Sequence, residues 1–99
     1  MTYSREHVLK TLEENREAIR RYGVRYLGLF GSIARGENTA ASDIDLLVEF
    51  DRKSFDAYMD LKEYLENLFG CHVELVLTDT LKPRLRDIIL RETVHAAGL

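Results

Sequence analysis

The chain has 99 residues, enough for one domain, and its 45% apolar and 31% charged content is that of a globular protein rather than a disordered one. Its formal net charge of −3 argues against a broad phosphate-tracking surface for nucleic acid. No apolar run approaches a membrane span, the N-terminus lacks the apolar stretch of a signal peptide, and Cys71 has no second cysteine to pair with. The expectation is a cytoplasmic protein folded as a single domain over residues 1–99.

Ser4 reads as the cap of a first helix, with Glu6 in its first turn. Val8, Leu12, Ile19 and Tyr22 fall on one stripe at helical spacing, and Gly23 can end that helix in the left-handed conformation. Arg16, Arg20, Arg21 and Arg25 gather near its end, where a solvated face accounts for most of them more simply than a binding patch. Residues 24–30 form an apolar run with Tyr and Phe, read as a strand. Gly31 and Ser32 interrupt it, residues 32–35 turn into a short helix, and 36–42 make a polar loop.

Residues 43–50 alternate into a second strand, with Ile44, Leu46 and Val48 on one face and Asp43, Asp45, Leu47 and Glu49 on the other. Ser54 caps a third helix, striped by Tyr58, Leu61, Leu65 and Leu68 and closed by Gly70. Residues 72–77 are a third strand. Pro83 suits the first turn of a fourth helix, which runs through Leu85, Ile88 and Ile89. Residues 94–99 fit either a helix tail or a short edge strand. The order is α-β-α-β-α-β-α, an α/β fold in which four helices cover three short strands.

Two aspartates in an apolar strand are the first chemical signal. Asp43 and Asp45, two apart on a strand, point to the same face roughly 7 Å from each other. Asp is a poor strand former, and paired carboxylates repel and raise at least one pKa. A divalent cation removes that conflict, because Mg²⁺ takes a few carboxylates plus substrate phosphates. Glu74 is a third acid out of place in an apolar strand, and it reaches the same end and face if the third strand lies beside the second. Three such carboxylates suit one or two metals about 4 Å apart, as used for in-line phosphoryl transfer.

The Gly31-Ser32 turn supplies the other half. Gly31 permits close backbone approach, the amides of the short helix with the Ser32 hydroxyl can hold a phosphate, and Arg35 can pair with phosphate oxygens. Taken alone, each piece has a plainer explanation: a strand-to-helix turn for Gly31-Ser32, a solvated residue for Arg35. Asp56, Asp60, Glu63 and Glu66 with Lys62 read as a solvated helix face. His7, His72 and His95 lack metal-like spacing and read as structural or surface residues. The turn and the Asp-x-Asp strand in register are what metal-NTP chemistry requires.

At these residues the chain resembles the nucleotidyltransferase superfamily that includes DNA polymerase β, and within it the minimal nucleotidyltransferases. The shared signature is Gly-Ser, ten residues, then Asp-x-Asp: here Gly31-Ser32, residues 33–42, then Asp43-Ile44-Asp45. The resemblance covers nearly the whole chain. It implies a small mixed sheet flanked by about four helices, Asp43 and Asp45 on Mg²⁺, Ser32 on the NTP phosphates and Arg35 near them. The third carboxylate of the family is usually an aspartate; Glu74 in its place is one methylene longer, a departure that bears on the second metal site and the general base but not on the first metal site. Relatives of this length resemble antitoxins that move AMP from ATP to a tyrosine hydroxyl of a HEPN-domain toxin. Larger relatives that modify antibiotics or tRNA carry extra acceptor-binding domains, so a protein acceptor brought by the partner is the expectation. A non-catalytic module that neutralises its partner by contact is the alternative from another class, and transfer to a small molecule or an RNA end is a third reading.

Overall fold

The computed structural model describes residues 3–39 and 43–99. Residues 40–42, which include Ser42 and the end of the expected polar loop, lie outside them. Helix α1 (Arg5–Glu14) starts at Ser4, whose side chain accepts from the His7 amide. The single first helix expected from the stripe is in fact two, because α1 stops at Asn15 and α2 (Arg16–Arg20) follows. Asn15 supplies the reason. Its side-chain amide donates to the Thr11 carbonyl at 2.8 Å, and its side-chain oxygen accepts from Tyr64 at 3.2 Å. Such back-bonding competes with the helical ladder. The stripe still points inward: Val8, Leu12 and Ile19 are fully buried.

Strand β1 (Val24–Phe30) runs straight into the short helix α3 (Gly31–Arg35), which Gly36 closes at φ +73°. β2 (Ile44–Phe50) pairs antiparallel with β1, and β3 (Val73–Leu77) pairs parallel with β2. A parallel partner needs a crossover. It is provided by α4 (Phe55–Phe69), capped by Ser54 onto the Ala57 amide and ended by Gly70 at φ +67°. Leu61, Leu65 and Phe69 of α4 pack with Val8, Leu12 and Ile19 onto Leu27, Leu29, Ile44, Leu46, Val48, Val73 and Leu75 of the sheet.

The rest departs from the expected three-strand layer. A 3-10 turn at Thr78–Thr80 leads to α5 (Pro83–Glu92), and Val94–His95 is a fourth strand, β4. The edge strand, not the helix tail, is therefore correct for its start. The sheet order is β3-β2-β1-β4, with β4 antiparallel to β1. α5 contributes no residue to the core. None of its residues is buried, and Leu85, Ile88 and Leu90 are exposed. Among the described residues no helix is long and apolar enough to cross a membrane.

Candidate active site

The sheet register brings the singled-out residues to one end. Phe30 of β1 pairs with Asp45 of β2, and Asp45 pairs with Glu74 of β3. Adjacent strands stand about 4.8 Å apart, and residues in register share a face. The turn at Gly31 follows directly. Gly31 has φ +80°, and a Cβ on it would lie 2.9 Å from Asp45 Cγ and overlap Asp45 Oδ2. Only glycine lets the backbone approach the carboxylate this closely.

Asp43, just before β2, is exposed, and so is Glu74. One ligand atom each from Asp43, His72 and Glu74 lie within 4.8 Å of one another. Asp45 stands beside that cluster, half-buried against Gly31. Burial first, then the charges of Glu74 and Asp43, push the Asp45 carboxyl above its ordinary value, with Arg35 opposing and Glu92 adding to the rise. Carboxylates crowded until one resists ionisation form a donor set that fits a hard divalent cation.

His72 was expected to be structural or a surface residue. It is exposed, but it is also part of this constellation: its Nε2 lies 2.9 Å from Glu74 Oε1 and its Nδ1 3.1 Å from Glu66 Oε2. Glu66 also accepts from the Val73 amide at 3.1 Å, so it is more than the solvated helix residue it was read as. The hydrogen bond to Glu74 is the main cause that raises the His72 pKa. The spacing of His72 two residues before Glu74, on the same strand face, was the signal available for it.

Ser32, next along from Gly31, is half-buried, and among the described residues no group is hydrogen-bonded to its hydroxyl. Arg35, expected near a phosphate, is paired with two acids in the structure. Its Nε donates to Glu37 at 2.9 Å, and its Nη1 donates to both Glu92 oxygens at 3.1 and 3.3 Å. These partners, Glu37 foremost, raise the Arg35 pKa further, so the guanidinium stays charged. Glu92 escaped the sequence reading altogether. It accepts from the Gly31 amide at 3.1 Å as well as from Arg35. An acid in the last turn of a helix, against the helix dipole, was the one clue to it.

A small mixed sheet with this turn and this row of acids defines a nucleotidyltransferase domain, and the chain belongs to that family: the model of the nucleotidyltransferase domain matches residues 9–95. The protein adenylyltransferase MntA of Thermococcus cleftensis is 40% identical over 92 residues, covering 91% of this chain and 93% of the relative. A solved structure provisionally described as a minimal nucleotidyltransferase superposes with a TM-score of 0.73 at 42% identity, over 87% of this chain and 93% of the other. A crystal structure of a toxin-antitoxin with AMP-PNP superposes with a TM-score of 0.69 at 22% identity, over 88% of this chain and 73% of that one, a likeness of fold.

Proposed function

We propose that this nucleotidyltransferase moves AMP from ATP onto a hydroxyl of a partner protein, acting over residues 1–99 as the cytoplasmic antitoxin of a HEPN-domain toxin. The observation that carries the reading is the row Phe30–Asp45–Glu74 with the Gly31 backbone pressed on Asp45, a tight turn beside clustered acids. The relatives support the finer terms: one is named as a protein adenylyltransferase, and a fold neighbour is a toxin-antitoxin holding an ATP analogue.

Asp43, Asp45 and Glu74 would hold Mg²⁺, which neutralises charge on the transferring group when bound. Ser32 would donate to the phosphates. Arg35 would face them while tied to Glu37 and Glu92. The acceptor oxygen attacks the α-phosphorus, the bond to the bridging oxygen breaks, and pyrophosphate leaves. Asp45 or Glu74 takes the hydroxyl proton.

Incubating the protein with the product of its neighbouring gene, ATP and Mg²⁺ should add one or more AMP masses to that product in intact-mass measurement. Unchanged mass would sink the reading. A contact-only role draws on a specific observation, the exposed Phe55, Met59, Leu85 and Ile88, which leave apolar surface on α4 and α5 for a partner. The Asp43→Ala, Asp45→Ala double variant separates the two: full protection of cells by a folded variant would make contact sufficient.

A further inference from the structure

Glu92 sits where a carboxylate is electrostatically unwelcome. It is the last residue of α5, and a helix carries its negative end there. Its side chain is 24% exposed, so it does not simply project into water. It is met instead by the turn of the proposed site: the Gly31 amide at 3.1 Å and Arg35 Nη1 at 3.1 and 3.3 Å. The backing is firm, because the chain passes from Glu92 directly into β4, whose Val94 and His95 pair with Leu29 and Gly28 of β1. By charge alone an acid at this place opposes a triphosphate, so what it can offer the turn is geometry.

We propose that Glu92 is a positioning residue for nucleotide binding. It ties the Gly31 amide and Arg35 to the α5–β4 junction, and so presets the turn that holds Gly31 against Asp45 and carries Ser32. The inference rests on the reading of that turn as the phosphate site, and it adds a residue outside the Gly-Ser and Asp-x-Asp signature.

The test uses Glu92→Gln, which keeps the shape and an acceptor oxygen but loses the charged pairing with Arg35. Titration calorimetry with Mg·ATP should show at least a tenfold loss of affinity, whereas simple removal of a repelling charge would tighten binding. In an Arg35→Gln background the same change should cost little more, because both substitutions break one contact. In the nucleotide-free protein the Gly31 amide resonance should move while that of Gly70 stays. Where the Gln variant fails to fold, Glu92→Asp keeps the charge but is a methylene short, and its affinity should fall as well. Equal or tighter binding by the folded variant, or fully additive losses with Arg35→Gln, would overturn the proposal. Failure of the wild type to bind Mg·ATP would overturn the phosphate-site reading and this inference with it.

Discussion

Asp45 is half-buried, and burial is the largest cause holding its carboxyl above the ordinary 3.8, ahead of Glu74 and Asp43. In the window from 3.8 up to the raised native pKa, the folded state holds more proton than the unfolded one, so stability falls as pH rises through it. The ionised Asp45 is therefore a burden on the metal-free protein at neutral pH. Metal-free Asp45→Asn should melt at or slightly above wild type at pH 7, and the difference should shrink as pH approaches 3.8. A variant that melts well below wild type at pH 7 would make Asp45 a structural residue. Asp43, Asp45 and Glu74 were legible because acids in apolar strands violate strand preferences locally. Glu92 was not, because its partners Gly31 and Arg35 lie 61 and 57 residues away, and no local pattern announces a pairing of that range.

α4 was the most legible element, since every signal for it agrees. Ser54 caps it, Leu61 and Leu65 are fully buried on its stripe, and Gly70 ends it in the left-handed region. It also fixes the site, because it is the crossover that lets β3 lie parallel to β2 and so brings Glu74 opposite Asp45. α1 and α2 were read as one helix because the apolar stripe runs through the break, where Asn15 bonds back to Thr11 and its side-chain oxygen is held by Tyr64, 49 positions on. α5 was read as a cover for the sheet from its apolar positions, yet Ile88 is 59% exposed. A stripe says that a face is apolar, not what it meets. At Gly70 a Cβ would meet nothing within 4 Å, so only the backbone conformation opposes a side chain there. Gly70→Ala should therefore cost about 1–2 kcal/mol in urea unfolding, the penalty of a left-handed non-glycine residue, and leave the acids in register. A loss far beyond that would mean the α4–β3 connection does more than turn the chain.

At the scale of the molecule, site and stability are opposed. A domain of this size has about 5–15 kcal/mol of stability to draw on, and it gathers Asp43, Asp45, Glu74 and Glu92 around one end of its sheet. Arg35 and His72 offset part of the mutual repulsion there, the proposed cation and nucleotide would offset more, and ligand that binds the folded state alone stabilises it by mass action. At a concentration one hundred times the dissociation constant the gain is about 2.7 kcal/mol. For a chain of about one hundred residues, that is on the order of 10 °C or more in Tm. Wild type should show a rise of this size with Mg·ATP and little with Mg²⁺-free buffer. Asp43→Asn removes one of the clustered carboxylates, so its metal-free form should melt no lower than wild type, while its gain with Mg·ATP should be much smaller. Equal gains in the two proteins would mean that Asp43 holds no metal. A metal-free variant melting several degrees below wild type would mean that the cluster stabilises the sheet end instead of opposing it.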